Sequence, residues 1–142
     1  MKLSTRTRYG LRILEQLAEH VAAKTAVKGR DIVGEQGITE PYMEQIMIAL
    51  RQDGMVKTER GRHGGYRLNK KPEEITLLNV IELFEGPLNL VECTGDPAKC
   101  ERFRICKTVV AWKMLATSVR RQAAAITLAN LLEYNTGSEY AI

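Results

Sequence analysis

Between Thr7 and Val21 the apolar residues Leu11, Leu14, Leu17, Ala18 and Val21 recur at helical spacing with charges between them, which predicts a first amphipathic helix. A short connection, Ala22 to Val27, leads to a second helix over Lys28 to Gln36 with Ile32 and Val33 inward and Gly37 as its stop. Thr39 is a suitable N-cap, Pro41 fits a first helical turn, and Met43, Ile46, Met47 and Leu50 form one face of a third helix ending at Gly54. Only Gly37-Ile38-Thr39 separates the last two helices. Two short helices about a tight, glycine-containing turn form a helix-turn-helix.

The period then switches from helical to strand-like. Met55 to Glu59 and Tyr66 to Leu68 flank Gly61-Arg62-His63-Gly64-Gly65, whose glycines supply the positive φ angles of a tight hairpin. This hairpin is predicted to be a wing. Lys70-Lys71-Pro72 reads as a linker. Thr76 can cap a helix striped with Leu77, Val80, Ile81 and Phe84 and closed by Gly86-Pro87. An irregular segment, Leu88 to Ile105, is followed by a long helix from about Cys106 to Ala124, with Trp112, Leu115, Ala116, Val119 and Ala123 on one side. Thr127 can cap a last short helix, Leu128 to Glu133, before a polar tail. The expected class is mainly α with a small β-hairpin: a winged helix-turn-helix in residues 1–71, and a cysteine loop with a long helix in 72–142.

In such a motif the second helix enters the major groove, and side chains near its N-terminus reach base edges. Here those are Thr39, Glu40, Tyr42, Glu44 and Gln45. Glu can accept from cytosine N4 and Gln can pair with adenine. Glu40 and Glu44 could equally be solvated charges, Glu40 favoured by the helix dipole, and Tyr42 could serve the core or the groove flank. Arg60, Arg62 and His63 lie at the wing tip, where guanidinium groups suit phosphates or a narrow minor groove. His63 could also be a simple solvated residue. His20 is expected on the surface of the first helix.

Charge sharpens this picture. Through Lys71 there are 14 Lys/Arg and 8 Asp/Glu, and beyond it 7 and 9, so a basic half precedes a slightly acidic one. That asymmetry suits a polyanionic partner for the first half only. No run approaches the length of a membrane span, and the N-terminus has no secretory apolar stretch, so a cytoplasmic protein without a membrane partner is expected. No nucleotide loop, paired-carboxylate motif or histidine–cysteine relay is present, which argues against an enzyme with a small-molecule substrate.

Cys93, Cys100 and Cys106 are separated by six and five residues, in a polar segment with Gly95 and Pro97. An odd thiol count does not suit a secreted disulfide framework. Three soft donors so close in the chain can meet around zinc or an iron–sulfur cluster. Buried structural cysteines, or a disulfide with a spare thiol, are the alternatives. Thiol oxidation without any metal would also make a redox switch.

Several stretches resemble the iron–sulfur cluster regulator (IscR) family. They are Met1-Lys2-Leu3-Ser4, Arg8-Tyr9-Gly10, Gly37-Ile38, Tyr42-Met43-Glu44-Gln45-Ile46, Leu50-Arg51, the wing Arg60-Gly61-Arg62-His63-Gly64-Gly65-Tyr66, and the three cysteines. The resemblance runs from residue 1 to about Leu132. It implies a homodimer formed through the long helix, acting on double-stranded DNA as a regulator of iron–sulfur or redox-response genes, with repression favoured. It implies Cys93, Cys100 and Cys106 as ligands of a 2Fe–2S or, alternatively, 4Fe–4S cluster, Glu44 and Gln45 as base-reading positions, and Arg60 as a wing arginine in the minor groove. The sequence departs from the family's namesake at Val109, which replaces a histidine ligand, and in a first cysteine gap longer by one residue. Arg8 stands where some relatives carry a carboxylate. The fourth ligand is left open among Glu92, Asp96, Glu101, His63, a partner-chain group and a small molecule.

Overall fold

A computed structural model describes residues 1–134; the tail expected beyond them lies outside the described residues. The architecture is mainly helical with one two-stranded antiparallel hairpin. Helix α1 (Thr5–Glu19) begins earlier than the apolar pattern suggests, because the Ser4 hydroxyl accepts from the Thr7 N–H and caps it. Its stripe also stops short: the helix ends at Glu19, and Val21 is 43% exposed rather than inward. Helix α2 (Gly29–Gln36) ends on Gly37, whose φ of 63° is left-handed and cheap only for glycine. Helix α3 (Glu40–Gln52) is capped by Thr39 and buries the expected face, Met43, Ile46, Met47 and Leu50.

Strands β1 (Val56–Glu59) and β2 (Gly65–Leu68) pair in the register Val56 with Leu68 through Glu59 with Gly65. Val27 adds a bridge to Tyr66, with both backbone hydrogen bonds made at 2.8 and 2.9 Å. That bridge ties the wing to the chain entering α2.

A 3-10 turn at Pro72–Glu74 precedes α4 (Leu77–Glu85), where Thr76 and Asn79 cap each other reciprocally. Thr127 and Asn130 repeat the device ahead of α7 (Leu128–Glu133), and Thr76 bridges Thr127. Each such cap contributes about 1 kcal/mol. The main core joins Ile13, Leu14, Ile32, Ile46 and Leu50 to Ile75, Val80 and Leu128, so the first and second halves of the chain share one apolar interior.

The segment between α4 and the long helix is less irregular than expected. It contains a short helix, α5 (Glu92–Gly95), and a 3-10 turn at Pro97–Lys99. Helix α6 (Val109–Ala125) starts three residues after Cys106, so the third cysteine precedes the helix instead of opening it. The stripe expected on α6 also splits. Ala116 and Ala123 are buried, whereas Trp112 and Leu115 are 41% and 50% exposed. Val110 and Met114 add to this uncovered apolar surface.

Glu85 fastens the start of α1 to the end of α4, accepting from the Ser4 N–H at 2.8 Å and from the Thr7 hydroxyl. Hydrogen bonds from Ser4, then Thr7, hold its carboxyl below its ordinary value of 4.5. The unfolded chain therefore takes up a proton there first as acid is added. The stabilisation is complete above the unfolded value and is lost as pH falls through the folded one. Glu85→Gln is expected to flatten the acid limb of stability, measured as urea midpoints between about pH 6 and about pH 3. An identical acid limb in the variant would remove Glu85 from that role.

Candidate nucleic-acid interface and cysteine segment

Helix α3 is anchored by its apolar face, which leaves the opposite side and the N-terminal turn in solvent. Thr39, Glu40, Glu44 and Gln45 are all exposed there. Glu40 lies in the first turn, where the helix dipole favours a carboxylate, and Arg51 in the last, where it favours a cation. Tyr42 is placed differently from its neighbours. Its ring is partly buried, meets Tyr9 edge-on at 6.0 Å, and packs on the core. Its buried hydroxyl has no hydrogen-bond partner among the described residues.

On the wing, Arg60, Arg62 and His63 are exposed. Gly61 and Gly65, with φ of 105° and 151°, allow the turn that carries them. Neither tip arginine has an ion-pair partner among the described residues. A free guanidinium on a thin hairpin is suited to phosphates and groove edges. His20, by contrast, is half-buried at the end of α1, with Nδ1 2.9 Å from the Gln16 carbonyl, and is not a simple surface residue.

The cysteine segment is shaped by short local turns. Cys93 lies in α5, Cys100 ends the 3-10 turn, and Cys106 sits just before α6. All three thiols are free and half-buried. Cys106 Sγ lies 3.1 Å from the Thr108 hydroxyl. That hydrogen bond, then the Thr108 and Val109 N–H groups, hold its thiol below the ordinary 9.0. The donor chemistry, three accessible soft sulfurs in one segment, fits an iron–sulfur centre. The arrangement does not gather them: among the described residues no three His, Cys, Asp or Glu side chains come together as a metal-holding group. Glu92, Asp96, Glu101 and His63 therefore do not complete a set with the sulfurs in this conformation. Sequence spacing brings the sulfurs close along the chain, but the turns decide where each one points.

The sequence matches the Rrf2 family, described as an iron-dependent transcriptional regulator, over residues 3–134. The chain belongs to the Rrf2 family. As a member of it, the protein is a transcription regulator of a DNA-binding family and not an enzyme. It is 36% identical over 132 residues to Protein rrf2 of Nitratidesulfovibrio vulgaris, which covers 93% of this chain and 87% of the relative. Its fold is similar to that of CymR, the global cysteine regulator of B. subtilis, with a TM-score of 0.77, 34% identity, and coverage of 95% and 98% of the two chains. It is also similar to T. potens IscR, with a TM-score of 0.74, 32% identity, and coverage of 94% and 87%. The similar solved structures therefore include both a CymR and an IscR regulator. No helix among the described residues is long and apolar enough to cross a membrane.

Proposed function

We propose that this Rrf2 regulator is a homodimer that binds specific double-stranded DNA in the cytoplasm and represses transcription, using residues 1–71 to read DNA and 72–142 to sense and dimerise. One observation carries the DNA reading. Helix α3 commits one face to the core and presents Thr39, Glu40, Glu44 and Gln45 to solvent, and the wing that follows it carries tip arginines with no ion-pair partner among the described residues. Glu44 and Gln45 take the base-reading role, Tyr42 buttresses the helix against Tyr9, and Arg60, Arg62 and His63 take the minor groove or its phosphates. The uncovered apolar surface of α6, with Val110, Met114 and Leu115, supports dimerisation through that helix.

Selection of binding sites from random-sequence DNA tests this reading. A sequence with two related half-sites is expected to emerge, and failure to enrich any sequence would end the claim of specificity. With that site in hand, Arg62→Ala is expected to lower the slope of log affinity against log salt by about one unit. An unchanged slope would mean that Arg62 touches no phosphate.

For the sensor, Cys93, Cys100 and Cys106 are the residues that would hold an iron–sulfur cluster after the segment closes around it. Such a group supplies a centre responsive to iron and redox state. A second reading, direct thiol chemistry without a cluster, is favoured by the three sulfurs standing free and ungathered. Similarity to a global cysteine regulator points the same way.

A further inference from the structure

A cleft of about 100 Å³ lies where the end of α1 and the following turn meet the wing strands, lined by His20, Lys24, Thr25, Lys57 and Arg67 among others. We propose that it binds a tetrahedral phosphate-type oxyanion. Every charged or ionisable side chain lining it is Lys, Arg or His, and no carboxylate lines it. Lys57 and Arg67 are direct cross-strand partners on the hairpin. Like charges placed opposite each other oppose pairing, and an anion held between them reverses that effect. Glu59 satisfies only one edge of Arg67, at 3.1 Å from Nη1. The Arg67 side chain as a whole stays about a quarter exposed, leaving part of the guanidinium open to a ligand.

The turn also presents its cation in an unusual way. Lys24, with φ of 54°, is the sole non-glycine residue with positive φ among the described residues. Lys24 and Lys57 have no ion-pair partner among them. Several basic side chains lining one cleft suit the several oxygens of a phosphate better than the two of a carboxylate. A cleft of this size holds one such group. The phosphate can be a free ion or the phosphoryl of a small metabolite, or it can be a phosphodiester of bound DNA.

Titration of the full chain with inorganic phosphate at constant ionic strength, read by heat of binding, tests the site. Saturable binding is expected in the wild type, with acetate giving none. Lys57→Gln, and separately Lys24→Asn, which keeps a residue tolerant of left-handed backbone, are each expected to weaken it about tenfold or more. Both side chains are exposed, and unchanged thermal melts confirm that the variants fold. The DNA arm separates the sources. If the group is a DNA phosphate, phosphate competes with DNA and Lys57→Gln lowers the salt slope by about one unit. If the ligand is free, the slope holds while phosphate affinity falls. Two results would overturn the site: phosphate binding unaltered by either variant, or no saturable phosphate binding together with an unchanged slope. The phosphate arm requires no operator, so failure of the DNA-reading proposal would leave this outcome readable.

Discussion

Gly65→Ala is expected to detach the wing from the body of the protein and to lower stability by on the order of 3 kcal/mol. A β-carbon at Gly65 would stand 2.4 Å from the Val27 carbonyl oxygen and 2.7 Å from its carbon. Both are backbone atoms, fixed by the pair of hydrogen bonds between Val27 and Tyr66. No rotamer change relieves that clash, so the bridge itself must open. The φ of 151° adds conformational strain. Gly61→Ala provides the contrast. Its φ of 105° is also unfavourable, but nothing lies within 4 Å of the added carbon, so only the conformational cost of about 1–2 kcal/mol applies. Urea midpoints rank the two variants, and DNA affinity should fall further for Gly65→Ala. Equal midpoints for Gly65→Ala and the wild type would show that the bridge does not hold the wing.

The second large effect concerns the cysteines. Protein purified without oxygen is expected to absorb in the visible and to contain iron and acid-labile sulfide. Replacing Cys93, Cys100 and Cys106 together with alanine should abolish all three signals. Fold should survive, because none of these sulfurs is part of either apolar cluster. Iron and sulfide retained in the triple variant would defeat the ligand assignment. Wild-type protein without iron or sulfide would favour direct thiol chemistry, and zinc alone would favour a structural role.

Helix α3 is legible from sequence because several local signals agree: Thr39 at the cap, Pro41 in the first turn, and a stripe from Met43 to Leu50. The wing is legible for the same reason, since Gly61 and Gly65 occupy positions that require positive φ. The stripe on α6 is only half legible. Periodicity marks an apolar face but not the surface that covers it, and here Ala116 and Ala123 are buried while Trp112 and Leu115 stay exposed. Cysteine spacing likewise reports proximity along the chain, whereas short turns at Glu92–Gly95 and Pro97–Lys99 orient each thiol separately. The basic cleft carries no local signal at all. His20 and Lys24 meet Lys57 and Arg67 only in the folded chain, where α1 packs on β2 and Val27 pairs with Tyr66.

The place of Leu128 has a consequence for biosynthesis. That residue, 1% exposed, completes the same interior as Ile13 and Leu14. A nascent polypeptide therefore cannot close the interior that carries α3 until Leu128 has left the ribosome. Products cut short before α7 leave the ribosome with an open apolar seam, visible to proteases and chaperones.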